Sequence, residues 1–239
     1  MTQIVWHSHR GWTRGNSVGC LALPGRVISL VGGGGKTTLL YHLAADYQAK
    51  GKRTAVMTTT KIYRPDHVCA TWQECEACWA AGQYAVCGQA VSPEKLGAPS
   101  PPLLAWLLEH ADIVLIEADG ARHMACKIPA DHEPVLLPQT DTVLAVLGLD
   151  ALGQPVGQVC FRPELVCDFL SCGMDHRLTR EDFARILLSP QGSRKDVGQR
   201  DYRVVLNKCD EEQRWTEGQA LVTLLESLGH TQTYLTRFC

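Results

Sequence analysis

The chain has 239 residues, and its 23 lysines and arginines are nearly balanced by 25 aspartates and glutamates, which gives a formal net charge of −2. This length fits one large α/β domain, or such a domain with a small appendage. The charge balance excludes the strongly basic character of a protein that binds nucleic acid or an anionic membrane. No apolar stretch approaches the ~20 residues of a membrane span, and no apolar signal segment is found, so we expect a cytoplasmic protein.

Residues 1–20 are polar and have no clear period, and we predict that they form a loose N-terminal arm before a single domain over 21–239. The domain begins with an apolar strand over 27–31 and a helix over 37–50. A glycine-rich loop joins the two elements. Its residues are Gly32, Gly33, Gly34, Gly35, Lys36, Thr37 and Thr38.

A strand, a glycine loop, Lys-Thr and a helix form the context of a phosphate-binding P-loop. The glycines let backbone N–H groups surround a polyphosphate, and the helix N-terminus presents a partial positive charge to it. We expect Lys36 to reach the terminal phosphates of GTP or ATP and Thr37 to hold Mg²⁺. The full P-loop pattern requires glycine at position 30, where this chain has leucine. The alternative is a glycine turn without a ligand.

The next strand is predicted over 54–58, and it ends in a run of hydroxyl-bearing residues. Open α/β sheets bind ligands outside the carboxyl ends of their strands, so Thr60 is expected to help hold Mg²⁺ or to sense the γ-phosphate. A polar turn is the alternative. A helix over 72–81, a short strand over 84–87, a proline-rich connector over 92–102 and a helix over 103–109 follow.

Cysteine is frequent, with 11 residues at irregular spacing. An odd count beside a nucleotide-binding pattern favours reduced thiols over a disulfide framework. Cys75 and Cys78 form a CxxC pair, with Cys69 and Cys87 nearby, but a metal site needs a second pair or histidines in register. We therefore interpret these cysteines as structural, with a metal or chalcogen site as the alternative.

Residues 113–116 are fully apolar, which is typical of a buried parallel strand. The strand is followed by Glu117, Asp119 and Gly120, and P-loop proteins place a Mg²⁺-linked carboxylate at such a strand end. The sequence leaves open whether Glu117 or Asp119 is closer to the metal, and Asp119-Gly120 can also form a turn that senses the γ-phosphate. With Lys36, these two acids are the predicted catalytic residues. A bare Asp-Gly turn is the alternative.

The long loop after this strand is predicted to form a substrate or partner surface, because loops of this length are usually functional or disordered. Its candidate residues are Arg122, Lys127, His132 and Glu133. His132 and Glu133 could serve as acid and base groups. A strand over 143–147 and helices over 163–170 and 180–188 are predicted beyond the loop.

A strand over 202–206 runs into Asn207, Lys208 and Asp210, which match the NKxD signature of guanine recognition. A carboxylate at position 210 can accept from guanine N1–H and the 2-amino group, and adenine lacks both donors. Lys208 can lay its stem along the base, and Asn207 can tie neighbouring loops together. The alternative is a turn that caps the following helix, predicted over 211–228. A final strand is predicted over 232–236.

Seven segments in this order match the pattern of one family. They are VGGGGKTT, TTTK, IEADG, the loop K-x-P-x-x-x-EP (Lys127, Pro129, Glu133, Pro134), VLGLDALGQP, the triplet Arg162-Pro163-Glu164, and LNKCD. On these segments, which span about residues 27–210, the chain resembles the YqeC-like P-loop proteins, accessory factors for selenium-dependent molybdenum hydroxylases. The resemblance implies a cytoplasmic bacterial protein that acts in maturation of a selenium-containing molybdenum cofactor.

We therefore expect a three-layer α/β fold of the P-loop NTPase type with a mostly parallel central sheet. The expected function is binding of a nucleotide (GTP in preference to ATP) with Mg²⁺, and its hydrolysis, during maturation of a molybdenum-hydroxylase client or its cofactor. The alternatives are a kinase or nucleotidyltransferase acting on the cofactor and a non-catalytic carrier of cofactor or selenium. No nucleic-acid or membrane partner is expected. The oligomeric state is left open.

Overall fold

The computed structural model describes residues 2–8 and 11–238. In chain order the strands are β1 (Gln3–Ser8), β2 (Gly11–Gly15), β3 (Val27–Gly32), β4 (Thr54–Thr58), β5 (Ile62–Tyr63), β6 (Ala85–Val86), β7 (Gln89–Ser92), β8 (Lys95–Gly97), β9 (Ile113–Glu117), β10 (Cys126–Lys127), β11 (Thr142–Gly148), β12 (Cys160–Phe161), β13 (Asp201–Asn207) and β14 (Thr233–Arg237). The helices are α1 (Lys36–Ala49), α2 (Trp72–Ala80), α3 (Pro101–His110), α4 (Val156–Val159), α5 (Pro163–Leu170), α6 (Arg180–Leu188) and α7 (Glu212–Ser227).

Within the described residues, nine strands form a central sheet in the order β2-β1-β14-β13-β11-β3-β9-β4-β6. The strands from β14 to β6 pair in parallel, and the hairpin of β1 and β2 is added antiparallel at one edge. Parallel strands place their carboxyl ends at the same edge of the sheet. The residues that follow β3, β4, β9 and β13 therefore lie along one side of the molecule.

Apolar residues of β3 alternate between the two faces of the sheet, as strand geometry requires. Ile28 and Leu30 pack in a cluster with the apolar residues of α1, while Val31 belongs to a cluster with α6 and α7. Val27 packs with Leu107 of α3, in a third cluster. Helices thus flank the sheet, which confirms the expected three-layer α/β fold. No helix in the described part of the chain is long and apolar enough to cross a bilayer.

The N-terminal residues differ from the expected loose arm. Ile4 of β1 is fully buried, and β1 pairs with β14 from Gln3 to Trp6. The sequence signal is weak here because these short strands alternate polar and apolar residues only partly. The expectation of a loose segment is wrong for residues 3–8 and 11–15, while the division of the chain into an arm and a domain stays a prediction.

The proline-rich stretch over 92–102 is a connector only in part. β8 occupies residues 95–97 and pairs with β5 and β7 in a separate three-stranded antiparallel sheet. Pro101 and Pro102 open α3, and the Ser100 hydroxyl accepts a hydrogen bond from the Leu103 N–H. Proline is favoured in the first turn of a helix because its missing N–H has no intrahelical acceptor there.

Candidate functional site

The glycine-rich loop after β3 is pressed against the backbone of β11. Gly32, Gly34 and Gly35 have φ values of 94°, 70° and 108°, a region that residues with a Cβ rarely adopt. A Cβ on Gly34 would lie 2.1 Å from the Gly148 nitrogen. The Gly33 and Gly34 N–H groups donate to the carbonyls of Val146 and Met124, each at 2.9 Å. These two amides are therefore engaged within the protein, and the amides available to a ligand are those that follow.

Helix α1 begins at Lys36 without a capping side chain. Among the described residues, the N–H groups of residues 35–38 have no hydrogen-bond acceptor. The first amides of any helix lack intrahelical partners and carry its partial positive charge. These residues line a cavity of about 1060 Å³. The arrangement therefore offers hydrogen-bond donors and positive charge to an anion in that cavity.

The carboxylate of Glu117, at the end of β9, faces the start of α1. The Thr37 hydroxyl donates to Glu117 Oε2 at 2.8 Å. Burial raises the pKa of Glu117, against the opposing effects of the Lys36 charge and the Thr37 hydrogen bond. A bound cation stabilises the ionised form of a carboxylate whose ionisation is otherwise unfavourable because of burial. Both side chains line the cavity, so a hydroxyl and a carboxylate oxygen are available there to Mg²⁺.

Asp119 has a different position from Glu117. Its Oδ2 accepts from the Gly32 N–H at 2.9 Å, and its Oδ1 lies 3.1 Å from Lys36 Nζ. Lys127 Nζ lies 3.2 Å from Oδ2. The Asp119 side chain does not line the large cavity, and it is 2% exposed. The two acids therefore differ in position: Glu117 faces the cavity next to the Thr37 hydroxyl, and Asp119 contacts the glycine loop and two lysines.

The Lys36 ammonium is directed toward the protein. Its Nζ donates to the Gly32 carbonyl at 2.6 Å and lies 3.8 Å from Glu117 Oε1, and the side chain is 3% exposed. Buried ions persist where partners compensate their lost hydration, and here the loop carbonyl and Asp119 do so. Lys36 still lines the cavity wall. A bound anion would compete with these acids for the ammonium.

A second set of buried ion pairs continues from Asp119 into the long loop. Lys127 Nζ donates to Glu133 Oε2 at 2.6 Å, and Arg162 Nη1 donates to the same oxygen at 3.0 Å. Burial acts to raise the pKa of Glu133, but the hydrogen bond and charge of Lys127 and the charge of Arg162 outweigh it and hold the pKa below its ordinary value. Glu133 is thus an ionised connection between the loop and the start of α5.

The predicted loop residues are divided by this arrangement. Arg122, His132 and Glu133 line the cavity, together with Thr60 from the end of β4. The Thr60 N–H donates to the Thr58 hydroxyl at 3.0 Å, which orders the turn. Lys127 is buried behind the cavity wall. It is positioned to organise Asp119 and Glu133.

The NKxD residues lie at the same edge of the sheet but outside the cavity. Asn207 Nδ2 donates to the Gly34 carbonyl at 2.8 Å, and the Thr236 hydroxyl donates to Asn207 Oδ1 at 2.9 Å. Lys208, at φ 64°, forms a 2.6 Å ion pair with Asp150. Asp210 is exposed. Asn207 therefore ties the glycine loop to β14, as its position in the motif suggested, and Asp210 is accessible at the surface.

Several cavity residues were not predicted from the sequence to belong to the site. They are Tyr41, Tyr63, Lys95, His123, Phe161 and Arg162. Arg162 gave two usable signals, since it belongs to a triplet of the family pattern and precedes a proline at the start of a helix. Tyr63 and Lys95 come from the small sheet of β5, β7 and β8, and the sequence contains no sign that this sheet borders the glycine loop.

The described cysteines are free thiols. The sulfur atoms of Cys69 and Cys78 lie 3.6 Å apart, and those of Cys75 and Cys87 lie 3.5 Å apart. Burial raises the pKa of Cys78 to about 11, which opposes thiolate reactivity. Within the described residues, no group of three or more His, Cys, Asp or Glu side chains is arranged to hold a metal ion. Cys75 and Cys78 of α2 thus pack against Cys87 and Cys69, and the structural interpretation stays a prediction beside its alternative.

Comparison with known proteins identifies the family. The sequence profile described as "YqeC protein" matches residues 28–164. The chain is also 34% identical over 198 residues to the Escherichia coli (strain K12) protein named "Uncharacterized protein YqeC", covering 74% of this chain and 73% of that protein. The chain belongs to the YqeC family. The stretch matched by the YqeC profile contains the glycine loop, Glu117, Asp119, Glu133 and Arg162, and it ends before Asn207.

Proposed function

We propose that the chain binds a Mg²⁺–nucleotide at the N-terminus of α1, with GTP preferred to ATP, and hydrolyses it as an accessory protein in the maturation of a selenium-dependent molybdenum hydroxylase or its cofactor. One observation carries the nucleotide part. The amides of residues 35–38, which have no acceptor within residues 2–8 and 11–238, belong to residues that line a cavity beside the hydrogen-bonded pair of Thr37 and Glu117. Donors at a helix N-terminus beside a hydroxyl and a carboxylate are the groups that a metal-bound triphosphate requires.

The residues have distinct roles in this proposal. The amides of residues 35–38 would donate to the phosphate oxygens, and Thr37 and Glu117 would hold Mg²⁺. When bound, the metal would neutralise phosphate charge. Lys36 leaves its pairing with Asp119 to contact the terminal phosphate, and the Lys127 ammonium, 3.2 Å from Asp119, keeps that carboxylate compensated. Gly120, which lines the cavity after β9, lies where a turn can respond to the γ-phosphate.

Guanine preference rests on the residues after β13. Asn207 connects this segment directly to the Gly34 carbonyl, so the base-reading candidates are held at a fixed distance from the phosphate-binding loop. The exposed Asp210 carboxylate can accept from the two guanine donors that adenine lacks. Lys208 is held by Asp150 in the same segment.

Binding is tested by titrating fluorescently labelled GTP and ATP, with Mg²⁺, against the wild type, Lys36→Ala and Thr37→Val. Thr37→Val is included because Lys36 is buried, so its removal can also affect folding. We expect tight GTP binding by the wild type and at least a tenfold loss in both variants. Equal affinity in all three proteins, or no binding in any, contradicts the proposal.

The pathway rests on the resemblance to selenium-related accessory factors and on membership of the YqeC family. We expect that a selenium-dependent molybdenum hydroxylase purified from cells lacking this chain has reduced selenium content and activity. Reintroduction of the wild-type chain restores both, and Thr37→Val does not. Full selenium loading without the chain contradicts this part of the proposal.

A transferase function is the second candidate, because the cavity continues past the start of α1 to Arg122 and Arg162. A kinase or nucleotidyltransferase requires room for an acceptor beyond the terminal phosphate. Product that forms only when an acceptor is added, with no hydrolysis in water alone, distinguishes this candidate from the hydrolase.

A further inference from the structure

The cavity extends beyond the start of α1. Its volume of about 1060 Å³ lies at the upper limit of the ~300–1,000 Å³ typical of pockets for one small molecule. One end is formed by the glycine loop and α1. The other end is formed by the small sheet, through Tyr63 and Lys95, and by the segments around Arg122 and Arg162. The NKxD residues lie outside this second end, so a nucleotide base placed near Asp210 would leave it free.

The second end carries excess positive charge. The cavity is lined by Lys36, Lys61, Lys95, Arg122 and Arg162, against the acids Glu117 and Glu133. Both acids already have partners, since Glu117 accepts from Thr37 and Glu133 pairs with Lys127 and Arg162. Within residues 2–8 and 11–238, Lys61, Lys95 and Arg122 form no ion pair with a carboxylate. Three uncompensated cations at one end of a cavity attract an anion.

Aromatic rings border the same end. Tyr63 is 56% exposed, its ring stacks on His123 with centroids 5.3 Å apart, and Lys95 Nζ lies 3.3 Å from its centroid. Phe161 lies beneath two guanidinium groups, 5.6 Å from that of Arg122 and 4.7 Å from that of Arg162. Guanidinium planes and exposed rings both offer flat surfaces on which a planar ligand can stack.

The backbone here is held in uncommon conformations. Arg122, His123 and Arg162 have φ values of 45°, 65° and 52°, and all three line the cavity. Left-handed conformations of non-glycine residues carry a cost and concentrate where the surrounding structure fixes a functional geometry. This cost falls on three cavity-lining residues with cationic or aromatic side chains.

We propose that this end of the cavity, bordered by Tyr63, Lys95, His123, Arg122 and Phe161, is a binding site for a second, anionic molecule with a planar ring system, such as an aromatic phosphate ester. The ring lies against Tyr63 and His123, and the anionic group is bound by Arg122 and Lys95. The position of this ligand beyond the terminal phosphate rests on the proposed nucleotide site. The contacts by which the protein recognises the ligand are independent of the nucleotide proposal.

The test uses two probe pairs, 1-naphthyl phosphate with 1-naphthol and riboflavin 5′-phosphate with riboflavin, titrated with and without a saturating Mg²⁺–GTP analogue. We expect the phosphates to bind at least tenfold more tightly than their neutral partners, and binding to persist with the analogue present. Arg122→Gln and Tyr63→Leu should each weaken phosphate binding about tenfold. Arg26→Gln, before β3 at the opposite edge of the sheet, and Trp72→Leu, an exposed ring on α2, are matched controls that retain wild-type affinity.

The variants also separate the two proposals. If the probes bind and depend on Arg122 but no nucleotide binds, the second site stands and the nucleotide proposal fails. If the nucleotide binds but neither aromatic phosphate does, the second site is refuted. It is also refuted if the analogue displaces the probes and Thr37→Val lowers probe affinity as much as Arg122→Gln does. Equal affinity for the phosphate and neutral probes also refutes it.

Discussion

Two segments at the same edge of the sheet carry nucleotide-like motifs, and they differ in what their side chains contact. Around β3 and β9, buried ions are paired with one another. The amides of residues 35–38, which border a cavity, have no partner in the part of the chain that the structure describes. After β13, Asn207 and Lys208 are each bonded to other parts of the protein, and Asp210 is exposed. A sequence motif therefore identifies a location, while the contacts of its side chains determine what they can bind.

The largest expected effect is a difference in the free energy of unfolding between variants of the two regions. Asp119→Ala leaves the buried ammonium groups of Lys36 and Lys127 without their shared carboxylate, so we expect a loss of about 3–5 kcal/mol in the free energy of unfolding. Asp150→Ala removes the partly exposed partner of Lys208 and should cost at most about 1 kcal/mol. Urea denaturation monitored by tryptophan fluorescence measures both. Similar losses would show that the two regions do not differ in this way.

Glu117→Gln tests the cavity-facing carboxylate. We expect the Mg²⁺-dependent part of GTP affinity to fall about 100-fold, because the amide cannot supply an anionic oxygen to the metal. Because burial raises the pKa of Glu117, its ionisation is unfavourable in the folded protein and lowers the stability of the fold. The neutral variant should therefore be at least as stable as the wild type. Calorimetric titration with and without Mg²⁺, paired with thermal unfolding, provides both values. A destabilised protein with unchanged affinity would make Glu117 a structural residue.

Asp210→Asn tests whether the exposed carboxylate after β13 reads the base. Losing one charged acceptor should lower GTP affinity about tenfold and leave ATP affinity unchanged. Glu211→Gln, which changes the neighbouring exposed acid, is the matched control and should keep the GTP preference. Competition titrations measure the ratio of the two affinities. An unchanged ratio in Asp210→Asn removes guanine recognition from this segment.

The smallest effect concerns the pH dependence of the buried ion pairs. The pKa of Glu133 is held below its ordinary value, so its contribution to stability is present at neutral pH and is lost as the pH falls through the lowered pKa. We expect Glu133→Gln to cost about 1 kcal/mol at pH 7 and progressively less in acid. Urea denaturation at a series of pH values measures the difference. A constant difference across the series would exclude an ionised Glu133.

Much of the fold was predictable because its strands are apolar and turn-forming residues separate the elements clearly. The strands β3, β4, β9 and β13 and the helices α1 and α7 fall within one or two residues of their predicted bounds. Other short elements were missed, among them β1, β7 and β8. Their stability comes from pairing with distant segments, and a short stretch of sequence does not contain that information.

The site was predictable in part for the same reason. Motif position indicated Lys36, Thr37 and Glu117, because each lies at or shortly after the carboxyl end of a strand at one edge of the sheet. The inward direction of Lys36 was not foreseeable, because it depends on the position of Asp119. The Asp119 carboxylate accepts from the Gly32 N–H, although the two residues are 87 positions apart in the sequence. Tyr63, Lys95 and Arg162 reach the cavity through tertiary packing of separate segments. Their residue types alone gave no indication of it.

The central claim is that the amides at the start of α1 bind the phosphates of a Mg²⁺–nucleotide. A crystal structure with a non-hydrolysable GTP analogue and Mg²⁺ tests it most directly. The account predicts phosphate oxygens within hydrogen-bonding distance of the N–H groups of residues 35–38, and Mg²⁺ between Thr37 and Glu117. A nucleotide bound elsewhere on the protein, with the start of α1 empty at saturating ligand, would contradict it.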